Sequence, residues 1–463
     1  MFTIHYYLLS GITGAICNAI GLVALLNIYI FEKEQKMEKD YNKEFRNRKI
    51  KKPNVLLAQI VRFVFKRICK KRNVEFVYSE EYLKIKDSQA IYLCQHKSSL
   101  DYIYLFAGIK NLNVHVLCGY QNIFNKSLYK VLKHLGVIAK MLYQPDIQAT
   151  KQMFQGIKRG GSIVIFPEGI QSTSGSTHPI NPATENFIKK AGLPVVLVKF
   201  KGSYFSRTRY STDVKKGKIT VTFDKIFDGG DFKNLSQEQI CDTLLEKFKY
   251  NEFEEFKNEK VAFRGKKPNV YGLDNIIFKC PNCQSEHCFS TENDTMTCNC
   301  CQFAIKMDEY YDITSVNGVL PFQNIDEWYK WQRKVVKKEI LSDDFKLTTK
   351  VRIGTINVEK LDNNYSTLPH GEGILTLTNK GLTYEGNYDG EEVKMFFEPE
   401  YVFSLSMSLQ YDLDLYYKNN YFNFKFLQNE KHVTKWMISA EEIHNLYDDI
   451  WKKVSDEVYK YDE

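Results

Sequence analysis

Two hydrophobic periods alternate between residues 73 and 260. Short continuous apolar runs appear at AIYLC (90–94), VHVLCGY (114–120), SIVIF (162–166) and LPVVLVKF (193–200). Between them lie stretches with apolar residues every three or four positions, such as TKQMFQGIKRG (150–160) and TENFIKKAG (184–192). Buried strands alternating with amphipathic helices predict an α/β domain with a mainly parallel sheet. KITVTFDKIF (218–227) predicts its last strand, and SQEQICDTLLEKFKYNEFEEFKNEK (236–260) one long closing helix.

From about Phe345 the period falls to two. GILTLTNKGLTYEG, EEVKMFFEPEYVFSLSM and LDLYYKNNYFNFKFL are separated by turn signals at Asn379-Lys380-Gly381, Asp389-Gly390 and Asn419-Asn420. They predict an antiparallel β domain. SAEEIHNLYDDIWKKVSDEVYK closes it as a helix, with Ser439 as the N-cap.

The N-terminal pattern belongs to neither period. Residues 5–31 contain no Asp, Glu, Lys or Arg. At 1.5 Å per residue such a run crosses a hydrocarbon core of about 30 Å. No basic segment precedes it, so a retained membrane anchor is expected rather than a cleaved signal peptide. The basic stretch after it, EKEQKMEKDYNKEFRNRKIKKP, places the following domain on the cytoplasmic side. NVLLAQIVRFVFKRICKKR (54–72) mixes Leu56, Ile60, Phe63 and Val64 with Arg62, Lys66, Arg67 and Lys70. It predicts a helix lying in a membrane surface with its cations toward anionic headgroups.

The chain has 463 residues, too many for one core. The expected division is an anchor (1–31), a basic segment with the interfacial helix (32–72) and the α/β domain (73–260). A linker leading into a metal ribbon (261–320) and a helix with the β domain (321–463) follow. The net charge of +8 is modest and gathers near the N-terminus.

Six of the 11 cysteines fall between Cys280 and Cys301. Such clustering on the cytoplasmic side points to a metal rather than to disulfides. Cys280-x-x-Cys283 and Cys298-x-x-Cys301 are two thiolate pairs suited to a tetrahedral zinc ribbon. Cys300 is an alternative to either member of the second pair, and Cys288 and His287 are expected to be spectators. Four thiolates leave no open coordination position, so the zinc is expected to be structural. The basic-aromatic surface of a nucleic-acid binder is not evident, and no nucleic-acid partner is expected.

The stretch QHKSSLDYIY (95–104) follows a predicted strand. Ser98 and Asp101 by themselves read as a helix start, with Ser98 capping and Asp101 in the third helical position. That leaves His96 unexplained. Five residues on a helix sweep about 500°, so His96 belongs to the preceding loop, where Asp101 can point back at it. A carboxylate holding one ring nitrogen leaves the other as a base. About seventy residues on, SIVIFPEGIQS runs a strand straight into Glu168, at the end of the sheet where such domains bind ligands.

With both motifs in one α/β domain, the chain resembles the membrane lysophospholipid acyltransferases, the 1-acylglycerol-3-phosphate acyltransferase family. NHxSxxD is matched by Gln95, His96, Ser98 and Asp101. FPEGTRS is matched by Phe166, Pro167, Glu168, Gly169 and Ser172, and a proline-containing strand by Leu193-Pro194-Val195-Val196. Gly136 to Lys140 fits the family's glycine-to-cation motif loosely. The resemblance implies a glycerol-phosphate acyltransferase-type fold. It also implies His96 as general base, Asp101 as its orienter, and Glu168 and Gly169 in acceptor positioning. The donor would be acyl-CoA or acyl-carrier protein, and the acceptor hydroxyl the sn-2 position of lysophosphatidate in the bilayer. The sequence departs from the family where Ile170 and Gln171 replace Thr and Arg. Glutamine cannot pair with a phosphate's charge. Lys140, Arg207 and Arg209 are the candidate replacements, and another lysophospholipid acceptor stays open. A catalytically inert membrane-tethered scaffold is the alternative from a different class. The C-terminal β domain resembles PH or GRAM-like modules in shape, with its partner unspecified.

Overall fold

The computed structural model describes residues 40–363, 367–408, 412–428 and 433–459. The expected anchor over residues 5–31 lies outside them. Among the described residues, no helix is long and apolar enough to cross a membrane.

Short helix α1 (Tyr41–Arg46) leads to α2 (Val55–Lys71), capped by the Asn54 side chain. Val55, Leu56 and Phe63 of α2 are exposed, whereas Ala58 and Cys69 are buried. One face of α2 is thus packed, while the other carries apolar residues at the surface. It packs on α4 (Asp101–Gly108).

The α/β domain holds seven strands: β1 (Val74–Tyr78), β2 (Ile91–Cys94), β3 (Val114–Gly119), β4 (Ile138–Lys140), β5 (Ser162–Ile165), β6 (Val195–Lys201) and β7 (Ile219–Phe227). Their order is β1-β7-β6-β2-β5-β3-β4, parallel except for the β6–β7 pair, and the connecting helices besides α4 are α3 (Glu80–Ile85), α5 (Tyr129–His134), α6 (Ile147–Lys158), α7 (Ala183–Ala191) and α8 (Ser203–Ser206). All four residues of β2 are buried, because strands flank it on both sides and apolar clusters cover both faces. Ile91 pairs with Ile163 on one side and Val195 on the other. In this register the carboxyl ends of β2 and β5 open side by side, into QHKSS and FPEG.

Three expectations need correction. The closing helix is two: α9 (Gln237–Phe248), started by a Ser236–Gln239 capping box, and α10 (Glu252–Phe256), capped by Asn251. The Asn251 side chain accepts the amides of Phe253 and Glu254, which starts a second helix and turns Tyr250 and Glu252 inward. The expected linker over 260–279 is core instead. Phe263, Val270, Leu273, Ile276, Ile277 and Phe278 are buried, because their apolar side chains pack where the ribbon, α11 (Ile325–Glu339) and the α/β domain meet. Ser439 is buried inside α12 (Val433–His444) rather than capping it, and α13 (Asp449–Tyr459) is separate.

The ribbon is an antiparallel sheet of β8 (Phe289–Glu292), β9 (Thr295–Cys298), β10 (Ala304–Met307) and β11 (Ile313–Asn317). Trp328 of α11 (Ile325–Glu339) packs against its Phe289 and Phe303. The C-terminal sheet runs from β12 (Lys346–Ile356) through β13 (Thr367–Thr378), β14 (Gly381–Tyr388), β15 (Glu391–Phe397), β16 (Ser406–Ser408) and β17 (Asp412–Tyr417) to β18 (Asn420–Phe426). It is antiparallel, in the order β15-β14-β13-β12-β18-β17-β16. One apolar cluster joins ribbon, α11 and this sheet to Tyr143, Ile170 and Tyr204 of the α/β domain. The C-terminal half therefore packs on the loop that follows β5.

Candidate active site

His96 sits in the loop after β2, as its spacing from Asp101 requires. Asp101 begins α4, where no side chain caps the helix. The expected Ser98 cap is thus corrected: Ser98 Oγ accepts from Leu100 N, and Asp101 is the first helical residue, not the third. The reason is that the Asp101 carboxylate folds back over its own loop. Its Oδ2 accepts the amides of Lys97 (2.6 Å) and Ser98 (2.8 Å) and lies 3.1 Å from His96 Nδ1. Its Oδ1 accepts from Ser203 Oγ at 2.5 Å and Ser98 Oγ at 3.2 Å. The carboxylate has no exposed surface, and both its oxygens are engaged by donors of the loop and of Ser203. The His96 side chain is 23 % exposed, and Phe166 lies against its ring. Nδ1 faces the carboxylate, so Nδ1 carries the proton and Nε2 the lone pair.

Glu168 closes the other side of the loop. Its Oε1 accepts from His96 N and its Oε2 from His178 N, each at 2.8 Å. Ser172 N donates to His96 O at 2.8 Å. The backbone of His96 is therefore held at both its N–H and its C=O. Glu168 has no exposed surface, and both its oxygens are taken up by backbone amides, one of them that of His96. Burial pushes its carboxyl up, while Lys97 and the two amides hold it down. Gly169 adopts φ +74°, where any side chain is strained and a Cβ would meet the Tyr143 ring at 3.1 Å.

The candidate cations divide. Lys140 Nζ donates to the carbonyls of Met141 and Gln144 at 2.8 and 2.5 Å, and burial pushes its ammonium down to about 8. Arg207 donates to the Thr212 carbonyl of its own loop and is buried. Both thus turn their charges to backbone carbonyls. Arg209 instead bridges Gln171 O (2.9 Å) and Met407 O of the C-terminal sheet (3.1 Å). It thus stands beside the glutamine at the family's arginine position.

Lys97, Ser203, Tyr250 and Glu252 were not legible as site residues. Lys97 is the variable residue of the first motif. Ser203 follows Gly202, whose φ of +85° turns the chain after β6 back under Asp101. That turn is set by tertiary packing: a Cβ on Gly202 would lie 2.3 Å from Lys218 O.

Residues 73–201 match the model of the Acyltransferase family. The match takes in both motifs and stops short of Ser203, Arg207 and Arg209. No curated protein matches the chain. Among solved structures, a similar one is the 1-acyl-sn-glycerophosphate (LPA) acyltransferase of Thermotoga maritima, at 16 % identity and a TM-score of 0.40. The likeness covers 55 % of this chain and 93 % of that one, and at such distance it carries no functional weight.

The cysteine cluster divides as well. The sulfurs of Cys280, Cys283, Cys298 and Cys301 all lie within 4.8 Å of one another. Cys300 is joined to Cys288 in a disulfide. This removes Cys300 as an alternative ligand, leaves Cys288 outside the convergent set as well, and corrects the expectation of a cluster without disulfides.

Proposed function

We propose that this acyltransferase moves a fatty acyl group from acyl-CoA or acyl-carrier protein to the free hydroxyl of a lysophospholipid at a membrane. The observation that carries the reading is His96 Nδ1 at 3.1 Å from buried Asp101, with Nε2 left without a protein partner among the described residues. Nε2 takes the proton of the acceptor hydroxyl as its oxygen attacks the thioester carbonyl. The tetrahedral adduct then collapses, the C–S bond breaks, and the imidazolium returns the proton to the leaving thiolate. Asp101 stabilises the imidazolium and fixes the tautomer. No bond between enzyme and acyl group is required.

The sn-2 hydroxyl of lysophosphatidate is the first acceptor to test. Gln171 at the arginine position, with Lys140 and Arg207 turned to carbonyls, favours an acceptor without a bare phosphomonoester as the second reading. The exposed apolar residues of α2 beside Lys66 and Arg67 support a membrane-facing side, in keeping with an anchor at residues 5–31 and a cytoplasmic catalytic domain. Four convergent sulfurs suit a structural zinc, which when bound would tie the two ends of the ribbon together.

The deciding experiment is acyl transfer from acyl-CoA and acyl-carrier protein to a panel of lysophospholipids, by wild type and His96→Ala in detergent. The expected loss is about 10²–10⁴-fold in the variant. No transfer by the wild type to any acceptor would favour the scaffold, and equal rates would remove His96 as the base.

A further inference from the structure

The residue beside the general base is a lysine with no exposed surface. Lys97 Nζ makes no hydrogen bond. It lies 3.8 Å from Glu168 Oε2 and 4.9 Å from the centroid of the Tyr250 ring. Among the described residues, Lys97 is the one side-chain cation within 4 Å of Glu168. Glu168 in turn grips the His96 amide.

We propose that Lys97 is a positioning residue of the acyl-transfer site, acting through Glu168 on the backbone of His96. The inference rests on the reading of His96 as the base. An ionised Glu168 has two acceptor oxygens and uses both on amides, those of His96 and His178. A protonated acid carries a hydrogen on one oxygen, which makes that oxygen a much weaker acceptor for an amide N–H. The hold on one of the two amides would then weaken. A buried carboxylate keeps its charge only when a cation or enough donors compensate it, and Lys97 is the cation. Removing it leaves Glu168 to protonate, and the loop carrying His96 loosens from β5. The groups facing this pair are His96, His178, Tyr143 and Tyr250, together with Glu252, whose carboxyl lies in the field of the same ammonium.

The test is a double-variant cycle on the full chain: Lys97→Met, Glu168→Gln and both together. Lys97→Met is expected to lower kcat about 10–100-fold with KM for donor and acceptor within about twofold, and to steepen the loss of activity toward acid pH. The double variant has no unpaired charge at this site, and its amide oxygen still accepts from His96 N. It is expected to recover at least about tenfold over Lys97→Met. A double variant that loses the product of the two single losses overturns the proposal, as does Lys97→Met with kcat within about twofold of wild type. Should Lys97→Met fail to fold, a folded and active double variant supports the coupling, and a double variant that also fails overturns it. Hydrogen exchange at the His96 amide separates this idea from the reading of the site, because it needs no substrate. Faster exchange in Lys97→Met than in wild type, restored in the double variant, supports the linkage even if no acceptor is acylated. Unchanged exchange overturns it.

Discussion

Ser203 Oγ donates to Asp101 Oδ1 across 2.5 Å, linking the turn after β6 to the carboxylate that orients His96. The two residues are far apart in sequence, and neither has exposed surface. Ser98 Oγ lies 2.7 Å from the same hydroxyl and 3.2 Å from Oδ1. Without Ser203, Oδ1 would keep only that longer bond.

Ser203→Ala therefore tests how tightly Asp101 must be held. A hydrogen bond to a charged group contributes about 1.5–3 kcal/mol, and each 1.4 kcal/mol is tenfold in rate. We expect kcat to fall about tenfold while KM stays near wild type, since Ser203 is buried away from substrate. A change confined to KM would contradict this assignment.

The parts of this site that the sequence made legible are those built from neighbours in the chain. His96 and Asp101 are five apart, and a strand-then-helix pattern is enough to bring one over the other. Glu168 was legible in place because β5 ends there, but its task was not. Its contact with the His96 amide depends on β2 and β5 being adjacent, which no local period reveals. Lys97 and Ser203 left no mark for the same reason. The break at Asn251 was hidden because Lys249, Tyr250 and Asn251 fit a helical period as well as the residues around them do. The antiparallel character of the C-terminal domain was readable from turn residues, whereas its packing on the loop after β5, through Arg209 and Met407, was not.

The cysteines give a prediction that needs no substrate. Wild type is expected to bind about one zinc per chain, by elemental analysis after purification without added chelator. Cys283→Ser and Cys301→Ser should lower that content sharply, because each removes one of four convergent sulfurs. Cys288→Ser should retain the metal, since its sulfur is directed to Cys300. Metal removal should lower the thermal midpoint, because the ribbon packs on Trp328 and binding energy in such sites is folding energy. Zinc retained in Cys283→Ser, or lost in Cys288→Ser, would mean that the four named sulfurs are not the ligand set.

Glu252 predicts a pH dependence of stability. It has no exposed surface, accepts from the Tyr250 hydroxyl, and sits in the field of Lys97. Burial pushes its carboxyl from an ordinary 4.5 up to about 8, against the lowering effects of that hydroxyl and that ammonium. Between those values the folded chain holds a proton that the unfolded chain has released. Stability from this group is therefore fully present below pH 4.5 and is lost as pH rises toward 8. Asp414, pushed up to about 7 by burial, contributes a slope of the same sign, so wild type alone cannot assign the effect. The difference between Glu252→Gln and wild type can, because Asp414 is common to both. The amide stays neutral at every pH, so the thermal midpoint of the variant should gain on wild type steadily from pH 5 to pH 8 and level off above it. A difference that stays constant across that range would show that Glu252 does not titrate there, and that the lysine behind His96 faces an already ionised carboxylate.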